Sequence, residues 1–297
     1  MRGGYLHFAT ITLQPSPNAT MTPSLEKFAE VVSRDQFDLA QASLFVAQDV
    51  YPGLDVDRYL AELDLIADGV RKRVAEDAFA EQKLAALNHY LFSDLGYSGN
   101  VDDYYDPRNS YLNEVLERRT GIPLTLSVVY IEVGRRIGLN LRGLSFPGHF
   151  LVKLDMKRGQ LVLDPFLCGE PQSETDLRMR LAKILPADTA AQTPLDRYLA
   201  AATPRQIIAR MLRNLKNIYM TRAKREQALA VMNRMLLVVP ESVEELRDRG
   251  MLYRDLECFQ PALSDLQNYL RRRPDAPDAE DVHARVIELR IACSRLN

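Results

Sequence analysis

Residues 212–274 match themselves at a spacing of 34 residues: Leu212, Leu215, Tyr219, Ala228, Met232 and Pro240 recur as Leu246, Arg249, Tyr253, Ala262, Leu266 and Pro274. A unit of that length, with an alanine in its second helix and a closing proline, reads as one helix–turn–helix. Such a unit cannot bury its apolar face alone. Stacking buries that face and leaves a groove open to a partner chain. Tyr219, Tyr253, Ala228 and Ala262 are the packing positions, because aromatic and small residues there set the helix–helix spacing. Two repeats are marginal, so a further helix over 278–296 is expected to cap them, and the repeats are expected to lean on the rest of the chain.

The remaining composition is that of a globular protein, 46% hydrophobic and 26% charged. No apolar run is long enough to span a bilayer as a helix. The formal net charge of −2 argues against non-specific nucleic-acid binding by the chain as a whole. Charge is unevenly placed. From Pro204 to Asn297 there are 17 Lys and Arg against 13 Asp and Glu, whereas the remainder carries 21 against 27. The two portions are thus complementary in sign. Cys168, Cys258 and Cys293 are too few and scattered for a disulfide framework or thiolate site, and His7, His89, His149 and His283 include no pair at ligand spacing. These features predict a cytoplasmic protein with no metal and no cofactor. Residues 1–22 make a poor signal peptide and read as a disordered leader, since Met21 precedes Thr22-Pro23-Ser24-Leu25-Glu26, a good helix start.

Helical spacing runs through Leu25, Phe28, Val31 and Val32, resumes at Leu39–Val46, and continues from Val56 to Phe92 as two long helices. A loop follows over Gly96–Asn109. Ser110–Arg118 is a short amphipathic helix and Leu124–Ile137 a largely apolar one. The period then changes. Leu141–Ser145, Phe150–Leu154 and Leu161–Leu163 read as strands joined by turns at Phe146–His149 and Gly159–Gln160. Thr175–Leu185 is expected to be helical. Helices followed by antiparallel strands indicate an α+β domain, here over 23–185. A linker rich in Ala, Thr, Asp and Pro is expected over 186–203, and an all-α repeat domain over 204–297.

The 34-residue unit resembles the tetratricopeptide repeat. The block from Asn109 to Phe166 resembles the transglutaminase-like core, a relative of the papain-type cysteine protease fold with a helix-rich body and a small antiparallel sheet. Gly121-Ile122-Pro123 opens the central helix and Arg135-Arg136-Ile137-Gly138 closes it, while Gly148-His149-Phe150-Leu151-Val152 and Leu163-Asp164-Pro165 match the histidine and aspartate strands. The resemblance is closest to a bacterial subgroup that joins this core to tetratricopeptide repeats, the SirB-type family. It rests on Asn109-Ser110-Tyr111-Leu112-Asn113-Glu114-Val115-Leu116-Glu117-Arg118-Arg119, then Gly121-Ile122-Pro123, Phe146 through Val152, and Asp164-Pro165-Phe166. The chain departs from the subgroup after Phe166, where Leu167-Cys168-Gly169 replaces a sequence such as Asn-Gly-Gly.

The resemblance to the transglutaminase-like core implies a thiolate nucleophile at the helix start, a histidine base and an orienting aspartate, although the SirB-type subgroup itself has a proline at the nucleophile position. The helix amino terminus and a neighbouring imidazolium would lower that thiol's pKa. Here His149 and Asp164 supply the last two, and the nucleophile position is Pro123. Proline suits a first helical turn because its missing N–H is not needed there, but it cannot attack a carbonyl. Thr125 and Ser127 lie near the helix start and Cys168 lies after the aspartate strand. Each hydroxyl needs the histidine within hydrogen-bond reach to act. His149 and Asp164 are compatible both with a structural hydrogen bond and with a retained ligand site. In the charge run Glu117-Arg118-Arg119, one member is expected to pair with Asp102, Asp103 or Asp106.

In the repeats the first helix of each pair lines the groove. Register places Arg210, Arg213, Asn217, Met220 and Thr221 there from the first repeat, and Glu244, Arg247, Met251, Arg254 and Asp255 from the second. Pro204–Arg225 holds seven basic residues and no acidic one. Arginine forks bind carboxylates bidentately, so an acidic peptide is the expected ligand of Arg210, Arg213, Asn217, Arg247 and Arg254; docking of this helix on the acidic first domain is the competing use. Nucleic acid is disfavoured because Tyr219 is the one aromatic interleaved with the patch. The sequence thus supports a non-catalytic interaction protein, with an acyl-transferase or amide hydrolase built on His149 and Asp164 as the alternative.

Overall fold

The computed structural model describes residues 22–156, 159–186, 189–190 and 193–295. The leader expected at 1–22 lies outside the described residues except for its last position. The chain divides into two compact units, Pro23–Val238 and Val239–Asn297. Among the described residues no helix is long and apolar enough to cross a membrane.

The first unit opens with α1 (Pro23–Val32) and α2 (Leu39–Ala47), the latter capped by Asp38, whose carboxylate accepts the Gln41 amide at 2.8 Å. Next come α3 (Val56–Arg71) and α4 (Ala80–Asn88); α4 runs on as a π-helical turn, His89–Asp94. A two-residue strand β1 (Ser98–Gly99) pairs in parallel with β2 (Thr120–Gly121), which follows α5 (Leu112–Arg118). The central helix α6 (Pro123–Arg136) is buried at every position from Pro123 to Gly134. That explains its apolar sequence: α2, α3, α5 and the strands surround it.

The four-stranded antiparallel sheet has order β3 (Leu141–Leu144), β4 (Leu151–Asp155), β5 (Gln160–Asp164) and β6 (Glu170–Pro171). The first three strands match the expected ones; β6 is too short to show a period in sequence. Register pairs Gly143 with Val152 and Val152 with Leu163, which sets apolar side chains on one buried face. Helix α7 (Glu174–Ala182) is held at its start by a reciprocal Ser173–Asp176 cap.

The stretch expected as a linker is packed where it is described. Leu199 and Ala190 are buried in a cluster with Leu144, Phe146, Leu177 and Leu181. The Ala202 amide donates to the Gly143 carbonyl at 2.8 Å, and Lys153 Nζ donates to the Leu199 carbonyl at 2.9 Å. Helices α8 (Pro204–Thr221) and α9 (Arg225–Val238), the first repeat, belong to this first unit. Their attachment is polar as well as apolar. The Tyr111 and Tyr219 hydroxyls are 2.6 Å apart, Arg234 holds Asp49 and donates to Ser24 Oγ at 2.6 Å, and Arg205 donates to the Val32 carbonyl at 2.6 Å. Lateral support for the first repeat was expected on stability grounds, and these bonds supply it.

The second unit contains α10 (Val243–Asp255), α11 (Phe259–Arg272) and α12 (Ala279–Arg295), the last close to the expected capping helix. Tyr253, Ala262 and Leu266 are buried here, as their partners in the repeat, Tyr219, Ala228 and Met232, are in the first unit.

Candidate functional site

The site is organised around the start of α6 and the loop between β3 and β4. Pro123 occupies the first turn of α6, after the extended residue Ile122. Both nearby hydroxyls are fully buried and committed to backbone. Thr125 Oγ1 donates to the Asn109 carbonyl at 2.6 Å and accepts the Ile122 amide at 3.2 Å; Ser127 Oγ donates to the Pro123 carbonyl at 2.6 Å. Among the described residues neither is bonded to an imidazole. Asn109 itself is fully buried, and its side chain organises the preceding loop by donating to the Asp103 carbonyl at 2.8 Å and accepting from Asn100 and Arg118. The Asn109–Arg119 motif is therefore largely architectural. Glu117 accepts from the Tyr59 hydroxyl, Arg119 donates to the Leu95 carbonyl, and Arg118 lies 4.0 Å from Asp106, one of its three expected partners. Burial, then the bond to Glu117, pushes the Tyr59 phenol up to about 12.

His149 follows Gly148, whose φ of +67° is a left-handed conformation that glycine adopts without strain. A β-carbon at Gly148 would also lie 2.2 Å from Ile184 Cδ1, so the turn that aims the histidine depends on this residue. Asp164 ends β5, wholly buried, and its Oδ1 accepts the Phe166 amide at 3.0 Å. Its Oδ2 lies 2.9 Å from His149 Nε2. A carboxylate accepts here, so Nε2 is the nitrogen that carries a proton, and it is Nδ1 that faces away from the carboxylate. This is the base-and-orienter half of a triad. The same Oδ2 also accepts from Arg180 of α7 at 2.7 Å, and Arg180 is fixed in turn by Gln172 at 2.9 Å. One carboxylate oxygen is thus shared between an imidazole and a guanidinium.

A cavity of about 470 Å³ opens beside this pair, with Phe166, Gln172, Met179 and Lys183 on its walls. The Phe166 ring stands edge-on to His149 at 6.1 Å and to Tyr104 at 6.5 Å. Gly99 makes room for it: a β-carbon there would lie 2.4 Å from the ring. Among the described residues no hydroxyl or thiol is hydrogen-bonded to His149. Cys168 is exposed, in a left-handed turn after the short helix at 165–167, and is free. No group of three or more metal-ligating side chains is disposed to hold an ion among the described residues.

The five groove residues fall into three situations. Arg210 reaches back to the histidine loop, donating to the His149 carbonyl at 2.8 Å and the Phe146 carbonyl at 3.4 Å with its guanidinium over Phe150. Burial holds its pKa below the usual guanidinium value. Arg213 and Asn217 are exposed on α8. Arg247 and Arg254, in the second unit, already carry acids: Arg247 pairs with Asp248 and Asp278, each at 2.8 Å, and Arg254 with Asp255 at 2.7 Å. Sequence reading missed Arg180 as the second partner of Asp164 and missed Tyr104 and Phe166 as the wall beside His149. Phe166 was visible only as part of the Asp164-Pro165-Phe166 motif, and nothing in the spacing of Arg180 or Tyr104 marks them, because they reach the site from other elements of the fold.

A family model described as the transglutaminase-like superfamily matches residues 57–213, and a tetratricopeptide repeat model matches residues 215–286. A UPF0162 protein of Xylella fastidiosa (strain Temecula1) is 42% identical over 258 residues, spanning 87% of this chain and 92% of the relative. Protein SirB1 of Salmonella typhimurium is 26% identical over 227 residues, spanning 76% and 82%, and the UPF0162 protein YchA of Escherichia coli K12 is 28% identical over 244 residues, spanning 82% and 86%. The motif order around His149 and Asp164, the helical repeats and these likenesses agree: the chain belongs to the SirB-type family, in which a transglutaminase-like core is followed by tetratricopeptide repeats.

Proposed function

We propose that this protein is a non-catalytic interaction protein of the cytoplasm, whose transglutaminase-like core has lost acyl-transfer chemistry and whose repeat helices receive a peptide. The observation that carries the proposal is the start of α6. A proline stands where a thiol would be required, and the two hydroxyls within a turn of it are spent on backbone carbonyls. A nucleophile needs its base within about 3 Å, and neither hydroxyl bonds His149. Tetratricopeptide repeats generally mediate protein–protein interaction, and in this chain Arg213 and Asn217 present polar groups to solvent. Arg210, Arg247 and Arg254 support the reading less, because their guanidinium groups already have partners within the protein.

The surviving His149–Asp164 bond and its cavity favour a second reading, an amide or ester hydrolase with a different nucleophile. One assay separates the two. Purified protein is incubated with p-nitrophenyl acetate and with a glutamine-containing peptide plus hydroxylamine. No turnover above that of the His149→Ala variant is expected. Sustained turnover that disappears in His149→Ala replaces the proposal with the hydrolase reading.

A further inference from the structure

A cavity of about 400 Å³ lies between α8 and the loop that carries Tyr104 and Tyr105, entirely within the first unit. Its walls include Ile122, Ile218, Asn214 and Asn217, with Arg222 at one end. Nothing in the 34-residue periodicity points to it, because one wall comes from the transglutaminase-like core and the other from the first repeat. Three features define what would fit.

First, Asn214 and Asn217 are three residues apart and line the same cavity from α8. Neither side chain is hydrogen-bonded to another described residue. Each amide offers a donor and an acceptor together, which is the pattern a peptide backbone presents. Second, the body of the cleft is apolar. Ile122 and Ile218 form part of it, and Tyr104 and Tyr105 remain 41% and 69% exposed. A volume of this size admits one or two apolar side chains, and filling it removes the exposed tyrosine faces from water. Third, the wall that α8 forms is basic, whereas the facing loop carries Asp102 and Asp103, both exposed, and Asp106, which is engaged by Arg108 and Arg118. α8 carries no acidic residue, Arg213 is exposed with no acidic partner among the described residues, and Arg222 uses one guanidinium nitrogen on the Tyr105 carbonyl at 3.2 Å, leaving other donors.

We infer that this cleft binds an extended peptide segment in which an apolar side chain is flanked by acidic residues. The apolar side chain enters between the tyrosines and Ile218, the backbone is read by Asn214 and Asn217, and the acidic flanks face Arg213 and Arg222. Single-stranded nucleic acid shares the need for cations and aromatics but needs open ring faces for stacking. Tyr104 does not offer one freely: its ring meets Tyr105 edge-to-face at 5.3 Å and Phe166 at 6.5 Å. The inference rests on the interaction reading above and gives it a place and a ligand chemistry.

The test is selection of a phage-displayed random octapeptide library on the full-length chain, followed by binding of the enriched sequences as synthetic fluorescent peptides. Enrichment of Leu, Ile or Phe between Asp and Glu residues is expected. Asn217→Ala and Tyr104→Ala should each weaken the synthetic peptides about tenfold, the loss expected for one hydrogen bond or one buried ring edge. Arg213→Glu should remove the preference for acidic flanks. All three positions are at least partly exposed, and an unchanged circular dichroism spectrum checks that the variants fold. No enrichment, enrichment of uncharged or basic peptides, or binding indifferent to the three substitutions overturns the cleft. So does tighter binding of a labelled oligodeoxythymidine than of any selected peptide. Ester turnover lost in His149→Ala would instead strike the non-catalytic reading and leave peptide binding at the cleft standing.

Discussion

Asp106 is 5% exposed and joins two parts of the loop before α5. Its Oδ1 accepts the Arg108 amide at 3.0 Å, and its Oδ2 accepts from the Arg108 side chain at 2.8 Å, with Arg118 at 4.0 Å. Burial alone would push this carboxyl up; the hydrogen bonds from Arg108 and the charges of Arg108 and Arg118 together outweigh it and hold it below the ordinary carboxylate value. A depressed folded pKa contributes stability that is present above the unfolded carboxylate value and is lost as pH falls through the folded one. Asp106→Asn is therefore expected to cost about 1 kcal/mol at neutral pH, with the difference from the parent closing below about pH 4; urea unfolding across that range measures it. At this scale the sequence was readable where motif order supplied neighbours, as for His149 and Asp164. It was silent on Arg180, which reaches Asp164 from a helix 16 residues later, at a position that any solvated face would also explain.

The repeat makes a controlled comparison between elements. Leu215 and Val231 of the first repeat correspond to Arg249 and Asp265 of the second. The apolar pair is buried in α8 and α9, whereas in α10 and α11 the same register positions hold a buried bidentate ion pair at 2.7 and 2.8 Å. Desolvation offsets most of the attraction in such a pair, and removing one member strands the other. Arg249→Leu alone is expected to destabilise the second unit by about 3 kcal/mol, while Arg249→Leu with Asp265→Val restores stability to within about 1 kcal/mol of the parent. Thermal melts of the single and double variants decide it, and a double variant as unstable as the single one would show that the pair is needed for more than filling its place. Periodicity located these helices well because burial on one face repeats at helical spacing. It located α4 less well, since the π-helical turn at His89–Asp94 breaks the spacing without any proline or glycine to mark it.

For the whole chain, the division after Val238 differs from the boundary that composition suggests. A stretch of Ala, Thr and Pro looks like a linker by itself, but Leu199, Ala202 and Lys153 tie it to the sheet, and Tyr219, Arg205 and Arg234 tie the first repeat to α1, α2 and the segment before α5. A chain ending at Val238 is expected to keep its near-ultraviolet circular dichroism and to melt cooperatively. One ending at Leu185 is expected to lose both, because α6 and the histidine loop would be left without their covering helix. Comparable melting of the two truncated proteins would return the boundary to 186–203. The sequence by itself determined the classes of element, the 34-residue period, the order of the histidine and aspartate strands, and the inert residue at the start of α6, since each depends on local pattern or on residue chemistry. The tertiary structure alone decided which side chains meet: the sharing of Asp164 between an imidazole and a guanidinium, the capture of Arg210 by backbone carbonyls, and the cleft between two tyrosines and a repeat helix. Those depend on distances between segments far apart in the chain, which no local pattern encodes.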